Sequence, residues 1–394
     1  MADPRLTTEL EKLELTDNRM APFWADNLFW SSLLVRLTAL TYRRGADVSE
    51  VAAIAASIRS GDADQWYKTF TAAAADLQAI VSDGLRPASA RRDALWRASM
   101  YHRYATALMS PLDPRAREAL AARRTAFGAA ANLHPSGIEP IEVPFGDDFL
   151  PGWLSHADRR DPTSPAPLVI VIGGTDGSAE EMYFAVGQSL TESGFSVLTF
   201  DGPGQGEALR RGITARPDFA AVVAAVIDHV AARPDIDESR IGLVGHSLGG
   251  LYAVRAAAFE PRIRCLVVSS APDTIGVFST PELVTEADDP VIHFLQTMFL
   301  AVTGSQTAAD AAGKLAAFRL DDVANRIEMP LLALYGGDDA MADIAVGESL
   351  VAAAPVREKK LVVFPAGTPG SYHCQQDSLA AAELAVSSWL ARHL

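Results

Sequence analysis

The stretch Arg240-Ile-Gly-Leu-Val-Gly-His-Ser247-Leu-Gly-Gly250 limits the possible folds more than any other part of this chain. It reads as a short buried strand (Ile241, Leu243, Val244), a sharp turn and the start of an alanine-rich helix over 251–259. Gly245 and Gly249 flank Ser247 in a G-x-S-x-G pattern. A turn of this kind forces its central residue into a strained backbone conformation and needs small residues on both sides. The serine hydroxyl then stands at the head of a helix, where partial positive charge favours a developing anion.

The surrounding pattern agrees with such a turn. Strands are predicted at 168–172, 195–200, 241–244 and 265–269, and helices between and after them at 179–192, 217–232 and 247–259. Alternation of this type means right-handed crossovers and a mostly parallel sheet, so the fold class is α/β. Continuous apolar strands fit a sheet covered on both faces. A hairpin over 138–145 and 149–156, joined around Gly146-Asp147-Asp148, precedes this run, and 161–167 reads as a proline-rich surface turn. The alternation breaks between 271 and 329, where only helices at 291–302 and 307–318 are legible, which suggests a lid inserted after a strand. The sheet resumes at 331–335 and 361–364, and 378–394 closes the chain as a helix.

Upstream of 130 the texture is helical. Apolar residues recur at helical spacing from Trp24 to Arg44, with Gly45 as a stop. Asp47 with Glu50, and Asp62 with Gln65, form capping-box patterns before helices at 51–58 and 66–81. Ser89 opens a further helix to Met109, and Asp113-Pro114 starts one that runs to about Phe127. The expected division is a helical domain over 1–135 and a catalytic domain over 136–394, with the lid at 271–329. At 394 residues and 49% hydrophobic composition, the chain can bury a large core. A net charge of −15 argues against nucleic-acid binding. The start lacks an apolar signal segment and no run is long enough to span a bilayer, so a cytoplasmic protein with no membrane partner is expected. The two cysteines, Cys265 and Cys374, form no C-x-x-C pair, and no cluster has metal-ligand spacing; neither a metal nor a cofactor is expected.

A serine hydroxyl is a weak nucleophile unless a base takes its proton, and that base needs a carboxylate to orient it. In a sheet of this kind the acid and the histidine should follow the serine on loops after later strands. The strand at 331–335 runs into Gly336-Gly337-Asp338-Asp339, and the strand at 361–364 into a loop ending at His373. Asp339 is the expected acid, with Asp338 and Asp273 as alternatives. His373 is the expected base among eight histidines; His102, His134, His156, His229 and His393 read as surface or packing residues, and His246 as packing beside the turn. The tetrahedral intermediate needs oxyanion donors. Leu248 N–H is one, and Thr175 N–H, with Gly174 next, is the other, from the glycine-rich loop Gly173-Gly-Thr-Asp-Gly177. Asp176 in this loop and His293 on a lid helix are candidates to contact substrate. Asp201-Gly-Pro-Gly-Gln-Gly-Glu207 reads as a tight turn at the pocket floor, with no helix starting directly after it, and Cys374 as a small buried residue.

Ser247, Asp339 and His373, in that order on this strand pattern, resemble the α/β-hydrolase superfamily. The N-terminal helices, the Gly173–Asp176 and Asp201–Glu207 stretches, the His373-Cys374 pair and the 319–330 run are similar to one group within it. That group holds 2,6-dihydroxypseudooxynicotine hydrolase, the fungal hydrolases that shorten polyketide chains, and the FrsA-type esterases. The resemblance implies a helical domain seated over the pocket, a homodimer, and cleavage of an ester or of a carbon–carbon bond next to a ketone in an aromatic or polyketide-like molecule. The expected partner is thus a small carbonyl substrate. Acyl transfer or cyclisation by the same triad, and a catalytically silent binding protein, are the alternatives.

Overall fold

Eight strands make one sheet: β1 (Ile138–Phe145), β2 (Asp148–Ser155), β3 (Ala166–Ile172), β4 (Ser196–Phe200), β5 (Ile236–His246), β6 (Ile263–Ser269), β7 (Leu331–Gly336) and β8 (Lys359–Phe364). Their order across the sheet is β1-β2-β4-β3-β5-β6-β7-β8. β1 and β2 form the antiparallel hairpin, β2 is antiparallel to β4, and every other neighbouring pair is parallel. The computed structural model describes residues 23–82, 84–158, 164–274 and 290–394.

β3 shows why the sheet is central. All seven of its residues are buried. Leu168, Ile170 and Ile172 face one hydrophobic layer, and Val169 and Val171 face the other. Successive side chains of a strand point to opposite faces, so a strand apolar throughout must be covered twice. One cover is α8 (Phe219–Ala231) with α9 (Leu248–Ala257). The other includes α13 (Leu379–His393) and α6, which runs through Ala179–Met182, a π turn at Tyr183–Gly187 and Gln188–Glu192. Each such buried aliphatic side chain contributes roughly 1.5–3 kcal/mol.

The chain enters the parallel run at β3, steps to β4 on one side, then returns to place β5 on the other side of β3. Loops leaving the ends of β3 and β5 therefore diverge, and the crevice between them is where ligands bind in open α/β sheets.

The N-terminal helices are α1 (Leu28–Ala39), α2 (Val48–Ala56), α3 (Ala63–Val81), α4 (Ala88–Ala105) and α5 (Pro114–Ala131). Asp47, Asp62 and Asp113 cap three of them through their side chains. The capping boxes close only halfway. Glu50 turns to accept from Tyr101 Oη (2.6 Å) and Arg97 Nε (2.9 Å), and Gln65 accepts from Arg59 N–H (2.9 Å). The helical core, built on Trp30, Trp66, Phe70, Trp96 and Tyr104, continues into Trp153, Tyr183 and Phe184 of the sheet half. The π turn of α6 delivers Tyr183 and Phe184 against Trp96 and Phe127.

Four local expectations are revised. The 3₁₀ turn that extends α1 (Leu40–Arg43) ends on Arg44 in the left-handed region (φ 65°), not on Gly45. Gly45 is needed for another reason, because a Cβ there would press to 3.0 Å on the Phe184 ring. The helix expected from Ser89 to Met109 is α4, which starts one residue earlier and stops at Ala105. A short helix, α7 (Gly206–Arg210), does begin within the Asp201–Glu207 run. It is possible because the Asp201 carboxylate accepts the Glu207 N–H (2.8 Å). Helix α12 (Ile344–Ala353), capped by Asp343, was not expected. The insertion between β6 and β7 contains α10 (Pro290–Thr303) and α11 (Ala308–Leu315). Among the described residues no helix is long and apolar enough to cross a membrane.

Candidate active site

Ser247 sits between β5 and α9 with φ 54° and ψ −125°, a conformation costly for any residue with a side chain. Close packing on every side leaves it no relaxed alternative. A Cβ on Gly245 would overlap Gly249 O, and one on Gly249 would overlap Gly173 O and Ile172 O. Ser247 N–H donates to Ser269 O at the end of β6 (2.8 Å). Five described residues other than glycine have positive φ, and four of them, Ser247, Ser270, Cys374 and Gln375, are joined by hydrogen bonds around this strand end.

The acid and base lie on the loops after β7 and β8. His373 Nδ1–H donates to Asp339 Oδ1 (2.9 Å) and Oδ2 (3.0 Å). Asp339 Oδ1 also accepts from Met341 N–H (2.8 Å) and Ala342 N–H (3.0 Å), so the carboxylate is fixed by backbone. Asp338 does different work: its Oδ2 accepts Gly367 N–H (2.8 Å) and ties down the loop before His373. Asp377 holds the other end of that loop through Gly370 and Tyr372 N–H. Burial alone would lower the His373 pKa. The Asp339 carboxylate, with the Cys374 thiol beside it, outweighs burial and holds the ring well above the ordinary histidine range.

Ser269 joins the two halves. Its carbonyl accepts from both Ser247 N–H and Cys374 Sγ (3.6 Å), and its Oγ donates to Gln375 (2.7 Å). Ser270 Oγ accepts Cys374 N–H (2.9 Å). The serine turn and the residue following the histidine are thus held by one strand end. Cys374 is buried as expected, but its surroundings are polar. Burial pushes its thiol up, while His373 and His246 outweigh that and bring it to about 6.

The loop after β3 covers the serine from the other side. A Cβ on Gly174 would lie 3.2 Å from Ser247 Cβ and 3.7 Å from its Oγ. Gln205 Nε2 donates to Gly173 O (2.6 Å) and Gly174 O (2.9 Å). In a trans peptide the N–H points opposite the carbonyl, so Thr175 N–H faces away from Gln205. Asp176, a candidate substrate contact, is held by Arg36 (3.0 Å) and Arg103 (2.8 Å). The two guanidinium groups outweigh burial and keep its carboxyl well below the usual range. Sequence reasoning singled out neither Gln205 nor these arginines. Asp273 is not the partner that His373 takes; its carbonyl accepts Leu320 N–H (2.9 Å) beside the Thr274–Arg319 bridge. His293 is on α10, but its side chain lies outside the described residues. Among the described residues no group of three His, Cys, Asp or Glu side chains is placed to hold a metal ion.

A serine at a strand–helix turn on an eight-stranded, mostly parallel sheet, with an acid–histidine pair after the later strands, defines an α/β-hydrolase. The chain belongs to the FrsA-like esterase family, whose model matches residues 32–365. Among curated proteins it is 37% identical over 263 residues to the α/β hydrolase ucsC of Acremonium sp, covering 60% of this chain and 53% of that protein. It is 34% identical over 257 residues to the 20-hydroxy-prefusarin hydrolase FUS2 of Gibberella moniliformis, covering 62% of this chain and 61% of that one. These matches span a little over half the length of each relative. The crystal structure of 2,6-dihydroxy-pseudo-oxynicotine hydrolase superposes with a TM-score of 0.76 at 22% identity, over 91% of this chain and 95% of that one, which shows the shared fold.

Proposed function

We propose that the protein is a serine hydrolase acting on an ester, or on a carbon–carbon bond next to a ketone, in an aromatic or polyketide-like molecule. One observation carries this reading: Ser269 at the end of β6 holds both the strained Ser247 turn and Cys374, the residue after His373, while His373 itself pairs with Asp339. The likeness to a relative named 20-hydroxy-prefusarin hydrolase supports the substrate class.

In this mechanism Ser247 Oγ attacks the carbonyl carbon while His373 Nε2 takes its proton. Asp339 keeps the proton on Nδ1 and stabilises the imidazolium. The oxyanion is held by the N–H groups of Leu248 and Thr175, with Gly174 as a further donor. The tetrahedral carbon collapses, the bond to the leaving group breaks, and His373 returns its proton to that group. Water, deprotonated by His373, then attacks the acyl-serine; the bond to Ser247 Oγ breaks, His373 returns the proton to that oxygen, and the acid is released. The helices α1–α5 and the insertion between β6 and β7 enclose the substrate.

The test is a panel of aryl esters and 1,3-diketones, assayed with the wild type and Ser247→Ala. Turnover by the wild type that vanishes in Ser247→Ala is the expected result; undiminished turnover by Ser247→Ala on every accepted substrate contradicts the reading.

A further inference from the structure

The loop that carries Thr175 has two supports of different origin. Gln205, from the sheet half, holds the Gly173 and Gly174 carbonyls from below. The second support comes from the N-terminal helices. Arg36 on α1 reaches Asp176 with Nη1 (3.0 Å) and Glu181 with Nε (2.7 Å). Arg103 on α4 makes the same bridge, with Nη2 to Asp176 (2.8 Å) and Nε to Glu181 (3.0 Å). Tyr104 Oη adds a hydrogen bond to Glu181 (3.1 Å). Each guanidinium spans one carboxylate on the loop and one on the first turn of α6. A planar fork with several fixed donors holds both carboxylates in set directions, whereas a lysine ammonium is a compact charge on a flexible stem.

The two carboxylates differ in position. Glu181 is on a helix and its side chain is 1% exposed, whereas Asp176 is next to Thr175 in the loop and its side chain is 35% exposed. The arginines themselves are nearly enclosed, at 12% and 5%. A neighbouring cluster repeats the scheme: Arg123 and Arg124 of α5 meet Glu180 of α6 (3.0 and 3.3 Å). The helical half therefore grips the segment that follows β3 at three consecutive points, Asp176, Glu180 and Glu181.

We propose that Arg36 and Arg103 are positioning residues for the hydrolysis. By holding the Asp176 side chain they fix the backbone on the far side of Thr175, so that the Gly174–Thr175 peptide, gripped at its carbonyl by Gln205, keeps Thr175 N–H aimed at the oxyanion before substrate arrives. A donor already in place costs no reorganisation as charge develops, and a loop free to turn would lose that gain. This rests on the oxyanion role of Thr175 in the function proposed above. It assigns the helical half a part in the chemical step, beyond enclosing the substrate.

The experiment compares Asp176→Asn with Glu181→Gln and Arg103→Lys in the full chain, with p-nitrophenyl butyrate as the probe. Asp176→Asn keeps the size of the side chain and leaves both arginines paired to Glu181. Its kcat should fall by about 10–100-fold, less than full removal of an oxyanion donor, with KM within about twofold. Its rate of labelling by a fluorophosphonate should fall in parallel, because the phosphoryl oxygen uses the same donors. Arg103→Lys should lose kcat to a similar extent despite keeping its charge. Glu181→Gln should lower the melting temperature more than Asp176→Asn does, yet lower kcat less. A merely structural network predicts the reverse ranking, with activity tracking the folded fraction; that result overturns the proposal, as does unchanged kcat in folded Asp176→Asn and Arg103→Lys. Ser247→Ala in the same assay separates the two levels. If it is inactive while both clamp variants are fully active, only the positioning role is wrong. If it retains turnover, the nucleophile assignment and the clamp fall together.

Discussion

The two sides of the candidate site are held in different ways. On the side of β7 and β8, Asp339 and His373 are fixed by groups of the sheet half: the backbone amides of Met341 and Ala342, and the loop ties made by Asp338 and Asp377. On the side of β3, the loop over Ser247 is held by Gln205 and also by arginines from α1 and α4, which are 140 and 73 residues away along the chain. The charges also differ in kind. Asp339 faces an imidazole, which can gain and lose a proton during a reaction. Asp176 faces guanidinium groups, which never titrate in the working range, so it is a fixed post. With the roles proposed above, the proton-transfer groups would be held within the sheet half and the oxyanion loop tied to the docking of the helices.

Substitutions can break this contrast. The largest effect is expected on the proton-transfer side. Ser247→Ala should reduce kcat by about 10⁴–10⁶-fold, read as steady-state hydrolysis of an aryl ester. Asp339→Asn should cost up to about 10⁴-fold, because the histidine loses the partner that selects its tautomer. The pH profile sharpens this point. His373 must be neutral to accept the serine proton. Since Asp339 raises its pKa, the acid limb of kcat/KM should lie above the ordinary histidine value of about 6.5. Asp339→Asn removes the anion, so the limb should move to lower pH while the plateau falls; a limb that stays in place would remove Asp339 from the pair.

Smaller effects are expected on the tied side. Gln205→Leu removes the lower support of the same loop and should reduce kcat by about 10-fold, with KM little changed, in the same ester assay. The least effect on rate, and the most on stability, belongs to Glu181→Gln. It leaves Arg36 and Arg103 facing one carboxylate in place of two, and removing one partner of a buried pair costs about 3–5 kcal/mol, measurable by urea unfolding. Asp176 is one-third exposed and should cost much less. Its folded pKa is depressed, so its contribution is present above the unfolded carboxylate value of about 3.9. It is lost as pH falls through the lower folded value.

What could be read in the sequence divides along the same line. The Ser247 turn follows β5 directly, and Asp339 and His373 lie on the loops that leave β7 and β8, so local pattern and chain order were enough to single out these candidates. The lost boundaries were local conflicts. The glycine-rich run 201–207 reads as a turn and hid the helix at Gly206–Arg210, whose first turn the Asp201 carboxylate caps at Glu207 N–H. Asp343 before Ile344 was a readable cap for the helix that follows, and it was missed. The second support of the β3 loop was not legible at all. Arg36 and Arg103 sit in amphipathic helices like any solvated arginine, and only the docking of those helices brings them to Asp176. Gln205 lay inside a recognised turn, yet nothing in its spacing pointed to the carbonyls 31 and 32 residues earlier. Long-range polar contacts leave no periodic trace.

The central claim is that Ser247 is the attacking group. The most direct measurement is to quench the wild type during turnover of a slow aryl ester, digest it, and locate the acyl group by mass spectrometry. The account predicts one acyl addition, on the peptide containing Ser247, absent in Ser247→Ala. An acyl group on Cys374 or any other residue, or full turnover with Ser247 replaced, would contradict it.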